Sequence, residues 1–202
     1  MNNRQIVFAT NNFHKLREIR QILGDKINIL SLKDIGCNED IPETSPTIQG
    51  NAMQKALYVA ENYGVDCFAD DTGLLVEALD DAPGVYTARF AALHDPSAAS
   101  HDPLANMKVL LRMLEGKPNR RARFLTAIAL VRKGLEPVVI EGICKGTIAT
   151  VAAGDEGFGY DPVFLPDDGR GLTFAQMKAE DKNAISHRGK ATRRLIEILS
   201  NS

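Results

Sequence analysis

The sequence predicts an α/β protein with a mixed β-sheet. Three observations carry that reading. In the first half, short apolar runs of strand length alternate with segments whose apolar residues recur every three to four positions, the period of a half-buried helix. Further on, two apolar segments, 123–131 and 137–148, follow one another directly across Lys133-Gly134, as the arms of a long hairpin do. Strands that both alternate with helices and neighbour each other in sequence call for a sheet of mixed direction. Finally, 202 residues with 44% hydrophobic content can bury a substantial interior, and the chain shows no internal repeat, low-complexity tract or linker, so residues 1–202 are expected to form a single domain.

The elements follow in order. Gln5–Thr10 (QIVFAT) reads as a short buried strand, and Phe13–Leu23 as a helix with Phe13, Leu16, Ile19, Ile22 and Leu23 on one face. A second strand is expected at Ile27–Leu32. A polar loop through Glu43 leads to a helix from Ile48 to Tyr63, which Gly64 stops. The next apolar run ends in Asp70-Asp71-Thr72-Gly73, and Leu74–Leu79 reads as a further strand. The stretch from Ala82 to Asp102 has loop composition, with a short helical turn at Ala88–Leu93. Pro103–Glu115 is helical by the spacing of Leu104, Met107, Leu110, Leu111 and Leu114, with Gly116 and Pro118 ending it. After the hairpin, a glycine-rich loop runs through Asp161, and a final helix starts near Ser186 and ends near Leu199.

Composition narrows the function. A net charge of −2 lacks the basic excess of a polyanion-binding protein, so nucleic acid is not the expected partner, whereas a small anion needs only a local cluster of cations. Cys37, Cys67 and Cys144 are odd in number, far apart and without C-x-x-C spacing, which argues against a disulfide framework or zinc knuckle and fits a reducing cytoplasm. The four histidines show no zinc-binding spacing. The apolar run in MNNRQIVFATNN is too short for a signal segment, and no later run is long enough for a membrane span.

Three stretches carry chemistry, each with a plainer alternative. ATNNFHK, residues 9–15, turns from strand to helix. The unpaired N–H groups and positive dipole end there suit a phosphate, with Lys15 adding a full charge, while Asn11 or Asn12 serves equally as a helix cap. The frames of a P-loop or dinucleotide-binding turn are missing. DDTG, residues 70–73, is either a turn, since aspartate and glycine are turn formers, or a pair of carboxylates placed at a strand end. SHRGK, residues 186–190, sets His187, Arg188 and Lys190 at a helix start, where cations oppose the dipole unless an anion or polar acceptor is present.

Taken together and in order, Thr10–Lys15 (T-N-N-x-x-K), Pro42-Glu43, Asp70–Gly73 (D-D-T-G), Phe158–Asp161 (F-G-Y-D) and Ser186–Gly189 (S-H-R-G) resemble the inosine triphosphate pyrophosphatases, or Ham1-like proteins, over nearly the whole chain. Asn11 stands where that family often has glycine, and Thr72 where serine is frequent. The resemblance implies an elongated, two-lobed α/β architecture, a central mixed sheet flanked by helices and an active-site cleft between the lobes. It implies Mg²⁺-dependent hydrolysis of non-standard purine nucleoside triphosphates (ITP, dITP, XTP) to monophosphate and pyrophosphate, by a cytoplasmic homodimer. It further implies Asp71 as the catalytic carboxylate, and Glu43 with Asp71 as metal ligands, since Mg²⁺ takes oxygen ligands and bridges phosphates. By the same resemblance Thr10, Asn12, Lys15 and Thr72 hold the triphosphate, with Asn11, Phe13 and His14 also among the substrate-binding residues. Phe158 stacks on the purine, with Asp161, Lys182, His187 and Arg188 bordering its edge and Gly159 and Tyr160 also substrate-binding. Asp70 is a neighbour without an assigned role. Two other classes compete: a nucleotide-binding regulator without turnover, which an acidic pair beside a phosphate cradle disfavours, and an aspartic protease, which D-T-G at 71–73 suggests but which would need a second such loop or a symmetric dimer.

Overall fold

The computed structural model of the chain describes residues 5–24, 27–95 and 97–201. The readings of the N-terminal Met1–Arg4 as free of a signal segment and of Pro96 as loop lie outside the described residues. The strands are β1 (Gln5–Phe8), β2 (Asn28–Leu30), β3 (Cys67–Val76), β4 (Pro83–Gly84), β5 (Arg121–Val131), β6 (Val138–Ile148) and β7 (Phe164–Pro166). The helices are α1 (Phe13–Leu23), α2 (Ile48–Tyr63), α3 (Phe90–His94), α4 (Pro103–Met113), α5 (Ala179–Ile185) and α6 (His187–Ser200). No described helix is long and apolar enough to cross a membrane.

The chain sorts into two compact units: one holds the residues up to Asp71, Thr126–Gly142 and those from Arg188 onward, and the other holds Thr72–Leu125 and Ile143–His187. Strands β3, β5 and β6 each run from one into the other. In the first unit the strand order is β2-β1-β3-β5-β6, with β1 parallel to both β2 and β3. Register pairs Val7 with Cys67 and Phe8 with Phe68. Because strand side chains alternate between faces, Ile6, Phe8, Phe68, Ile128 and Leu130 line one face and are buried against Ile19 and Leu23 of α1 and Ala191, Leu195 and Leu199 of α6. Phe8 and Phe68 stack there at 4.6 Å. The residues between them, Val7, Ala9, Cys67, Ala69, Ala127 and Ala129, are small and buried.

Helices α1 and α2 match the expected spans because each is bounded by a cap. Asn12 accepts from the Lys15 N–H at the start of α1. Thr47 caps α2 by accepting from the Gly50 N–H, and Gly64 ends it with φ of +65°, a left-handed conformation that costs glycine little.

In the second unit the order is β4-β3-β5-β6-β7, β4 and β7 being antiparallel to their neighbours. Its core gathers Leu74, Val76, Phe90, Leu110, Leu114, Phe124, Tyr160, Phe164 and Phe174. Asn106 on α4, buried, accepts from the Ala91 N–H and donates to the Ala88 carbonyl, which ties α3 to α4.

Three expectations are corrected. The strand at Leu74–Leu79 is not separate: β3 continues through Asp70-Asp71-Thr72-Gly73 to Val76, and Glu77–Leu79 is a 3₁₀ turn. The ladder to β1 before the aspartates and to β4 after them holds the backbone extended, overriding the turn preference of the residues themselves. The end of the chain carries two helices, since Ser186 is extended (φ −67°, ψ 157°) between α5 and α6. The short strands β4 and β7 fall in stretches whose composition reads as loop.

Candidate active site

The continuity of β3 decides what its two aspartates do. Adjacent residues on a strand face opposite ways, so Asp70 and Asp71 cannot share surroundings. Asp70 shares the face of Phe68 and is fully buried. It accepts from Lys15 Nζ of α1 at 2.9 Å and from Arg188 Nε of α6 at 3.2 Å. Arg188, itself buried, also donates to Glu18 of α1. Burial alone would push the Asp70 carboxyl up, but Lys15, Arg188 and Lys55 outweigh it and hold Asp70 down to about 2. Burial lowers the Lys15 ammonium in turn, against the attraction of Asp70.

Asp71 shares the opposite face with Cys67 and Ala69, and there Asn51 of α2 donates to its Oδ2 at 3.3 Å. Burial pushes the Asp71 carboxyl up, with Glu43 and Asp70 adding repulsion, and Lys55 and Lys15 only partly offset this. Lys55, buried on α2, donates to Glu43. Its ammonium is raised, since the attraction of Asp71, Glu43 and Asp70 exceeds the cost of its burial. Glu43 and Asp71 thus share one lysine. This donor set fits Mg²⁺: two carboxylates repel each other, and Mg²⁺ commonly takes one or two carboxylates together with substrate phosphates and water, not a cage of protein ligands. No group of three or more His, Cys, Asp or Glu side chains capable of holding a metal occurs among the described residues.

Of residues 10–15, Thr10 and Asn12 are engaged in their own turn, while Lys15 reaches Asp70. Thr10 Oγ1 accepts from the Asn12 N–H at 3.1 Å, Asn12 caps α1, and Asn11, Phe13 and His14 are exposed. Thr72 follows Asp71 on β3, half-buried.

The remaining site residues, Arg188 apart, lie in the second unit, around an aromatic group. Lys182 of α5 pairs with Asp161 at 2.8 Å, both buried, and its Nζ stands 5.3 Å from the Phe158 ring and 5.6 Å from that of Phe174. Asp161 Oδ2 accepts as well from the Phe158 N–H at 2.8 Å. Gly157 has φ of +77°, and a Cβ there would come within 2.1 Å of that same Asp161 oxygen, so the loop closes this tightly only with glycine. Gly159 is half-buried beside Phe158, and buried Tyr160 donates to the Thr87 carbonyl. His187 is buried and stacks on Phe124 at 4.5 Å with the rings 17° apart.

Four residues of these clusters escape a motif reading: Asn51, Lys55, Phe124 and Phe174. For the first two the sequence does hold a signal. They lie on the same stripe of α2 as Ile48, Ala52, Ala56 and Val59, all buried, so two polar residues occupy positions that the helical period assigns to the core. Phe124 and Phe174 carry no such mark and read as ordinary core.

Comparison with known proteins gives one answer. A model of the Ham1 family matches residues 6–198. The dITP/XTP pyrophosphatase of Flavobacterium psychrophilum is 51% identical over 197 residues, covering 98% of this chain and 100% of its own. That of Porphyromonas gingivalis is 52% identical over 196 residues, 96% of this chain and 97% of its own. The structure of the Staphylococcus aureus Ham1 protein superposes with a TM-score of 0.86 at 33% identity, covering 98% of this chain and 99% of that one. On the family match over residues 6–198 and the identity to these relatives over nearly the whole chain, the chain belongs to the Ham1 family.

Proposed function

We propose that this protein hydrolyses non-standard purine nucleoside triphosphates, ITP, dITP and XTP, to the monophosphate and pyrophosphate. The observation that carries the reading is the placement of Lys15 and Lys55, both withdrawn from water, beside Asp70, Asp71 and Glu43. Relatives about half identical over their full length bear the name dITP/XTP pyrophosphatase, which supports the same activity here.

In this reading Glu43 and Asp71 hold Mg²⁺, which when bound would neutralise phosphate charge and polarise the phosphoryl oxygens. Asp71, whose carboxyl is raised by burial, accepts the proton of the attacking water. Lys15, with Thr10, Asn11, Asn12, Phe13, His14 and Thr72, receives the triphosphate, supplying N–H, O–H and ammonium donors where charge accumulates. Phe158 stacks on the base, and Gly159, Tyr160, Asp161, Lys182, His187 and Arg188 define its edge. A 6-oxo purine accepts hydrogen bonds where adenine donates them. Cationic donors at that edge therefore favour inosine and xanthosine and reject ATP. We further propose that residues 1–202 act as one domain and that the protein is a cytoplasmic homodimer.

The test is a screen of nucleoside triphosphates with Mg²⁺ and chromatography of the products. Monophosphate and pyrophosphate are expected from ITP and XTP, with little turnover of ATP and none in excess chelator. Diphosphate with orthophosphate would overturn the reaction assigned, and full activity in chelator would overturn the metal.

A further inference from the structure

We propose that Asn51 is a positioning residue of the acidic site, whose two amide atoms fix Asp71 and the loop carrying Glu43 relative to each other. The inference rests on the reading above that these two carboxylates hold the metal.

Asn51 is 1% exposed, on the buried stripe of α2. A primary amide is costly to bury unless both its ends are hydrogen-bonded, and both are. Its Oδ1 accepts from the Ser45 N–H at 2.8 Å and its Nδ2 donates to Asp71 Oδ2 at 3.3 Å. Chemistry fixes this orientation, because a backbone N–H can only donate and a carboxylate can only accept.

Ser45 is the second residue after Glu43, and the whole segment is fastened to the same helix. Lys55 donates to the Glu43 carboxylate, Gln54 Oε1 accepts from the Thr44 N–H at 2.9 Å, and Asn51 holds Ser45. Of these three, Asn51 also reaches β3. It is therefore a hydrogen-bonded bridge between loop and strand, setting the spacing of two carboxylates that belong to different segments. A neutral amide orients Asp71 without cancelling its charge, which a lysine in its place would do. Asn106 makes the contrast plain: that buried asparagine spends both ends on backbone groups and ties helices together, whereas Asn51 spends one on a carboxylate of the site.

The experiment titrates the nucleotide-free protein with Mn²⁺, following the electron paramagnetic resonance signal of unbound ion, for the parent, Asn51→Ala, Asn51→Leu and Asp71→Asn. Leucine keeps the branching of the asparagine side chain without its polar atoms and leaves no cavity, so Asn51→Leu keeps the test open if the alanine variant does not fold. Removing a group that orients a metal ligand costs roughly 10- to 100-fold in affinity, and a loss in that range is expected for Asn51→Leu with a parental circular dichroism spectrum. In steady-state assays with ITP at saturating Mg²⁺, kcat should fall while KM for ITP stays within about threefold of the parent, as for a lost transition-state contact and not lost substrate binding. Affinity for Mn²⁺ within about twofold of the parent in Asn51→Leu, with Asp71→Asn clearly weakened, would overturn the positioning role and leave the metal reading intact. Parental affinity in Asp71→Asn would overturn the metal reading and the role of Asn51 with it.

Discussion

The two units bury charge in different ways. In the first, the interior holds a connected set: Glu18, Arg188, Asp70 and Lys15 on one face of the sheet, and Asn51, Asp71, Lys55 and Glu43 on the other. In the second, the buried pair of Lys182 and Asp161 sits among Phe158 and Phe174, and buried His187 lies flat on Phe124. The proposed substrate calls for both kinds of surroundings. A triphosphate needs several compensating charges whose spacing is fixed, and a network with shared partners fixes it. A planar base needs flat apolar surface and one or two oriented polar groups. The contrast also explains why His187 and Arg188, adjacent in sequence, belong to different units and to different kinds of surroundings.

The comparison predicts unequal tolerance to the loss of one charge, and the largest effect is expected where the buried pair is packed against aromatic rings. Asp161→Asn leaves the buried Lys182 ammonium against aromatic rings without its carboxylate, and truncating one partner of a buried pair costs about 3–5 kcal/mol. Urea unfolding should show a loss of that order. A change below about 1 kcal/mol, the scale of a solvent-exposed pair, would mean that water reaches Lys182 and that the second unit is not the drier of the two.

Asp71→Asn comes next and bears on rate. The amide keeps the shape of the side chain but binds Mg²⁺ poorly and accepts no proton from water, so kcat for ITP should fall about 10²-fold or more. Near-parental kcat with a normal circular dichroism spectrum would remove Asp71 from catalysis and leave Asp70, its strand neighbour, to be tested for that role.

How much of this the chain discloses beforehand depends on whether a residue's role is written in its local pattern. The spans of α1 and α2 were legible because periodicity and caps coincide at Asn12, Thr47 and Gly64. The Thr10–Lys15, Glu43 and DDTG segments were legible as ordered motifs. The strand through DDTG was not, because turn-forming residues were held extended by pairing partners distant in sequence. That misreading hid the reason for two adjacent aspartates, since a turn does not separate their faces as a strand does. Asn51 and Lys55 were passed over because a polar residue in a helix reads as solvent-facing until its phase against Ile48, Ala52 and Val59 is followed.

Arg188 tests where the boundary between the two kinds of site falls. The resemblance puts it at the purine edge, yet in the fold it pairs with Glu18 and Asp70, both in the charged unit. Arg188→Ala should lower kcat/KM for ITP more than for ATP, narrowing their ratio about tenfold, the discrimination one well-placed base contact supplies. An unchanged ratio, with both substrates equally impaired, would assign Arg188 to the charged network alone.

The smallest effect separates the two neighbouring aspartates by sign. Asp70 has its folded-state carboxyl near 2, below the ordinary 3.8, so its contribution to stability is full at neutral pH and fades as pH falls from about 4 toward 2. Between pH 5 and 3 the parent should lose about 1 kcal/mol from this group, seen as a drop in the urea midpoint, and Asp70→Asn should lack that part of the slope. Asp71 is displaced the other way by burial: its protonated form is favoured in the fold, so its contribution is greatest below the ordinary value and is lost as pH rises through the raised one. Asp71→Asn should therefore steepen the acid loss where Asp70→Asn flattens it. Parallel shifts of the same sign in both variants would mean that the two carboxyls share one environment, contrary to the opposite faces that an unbroken β3 gives them.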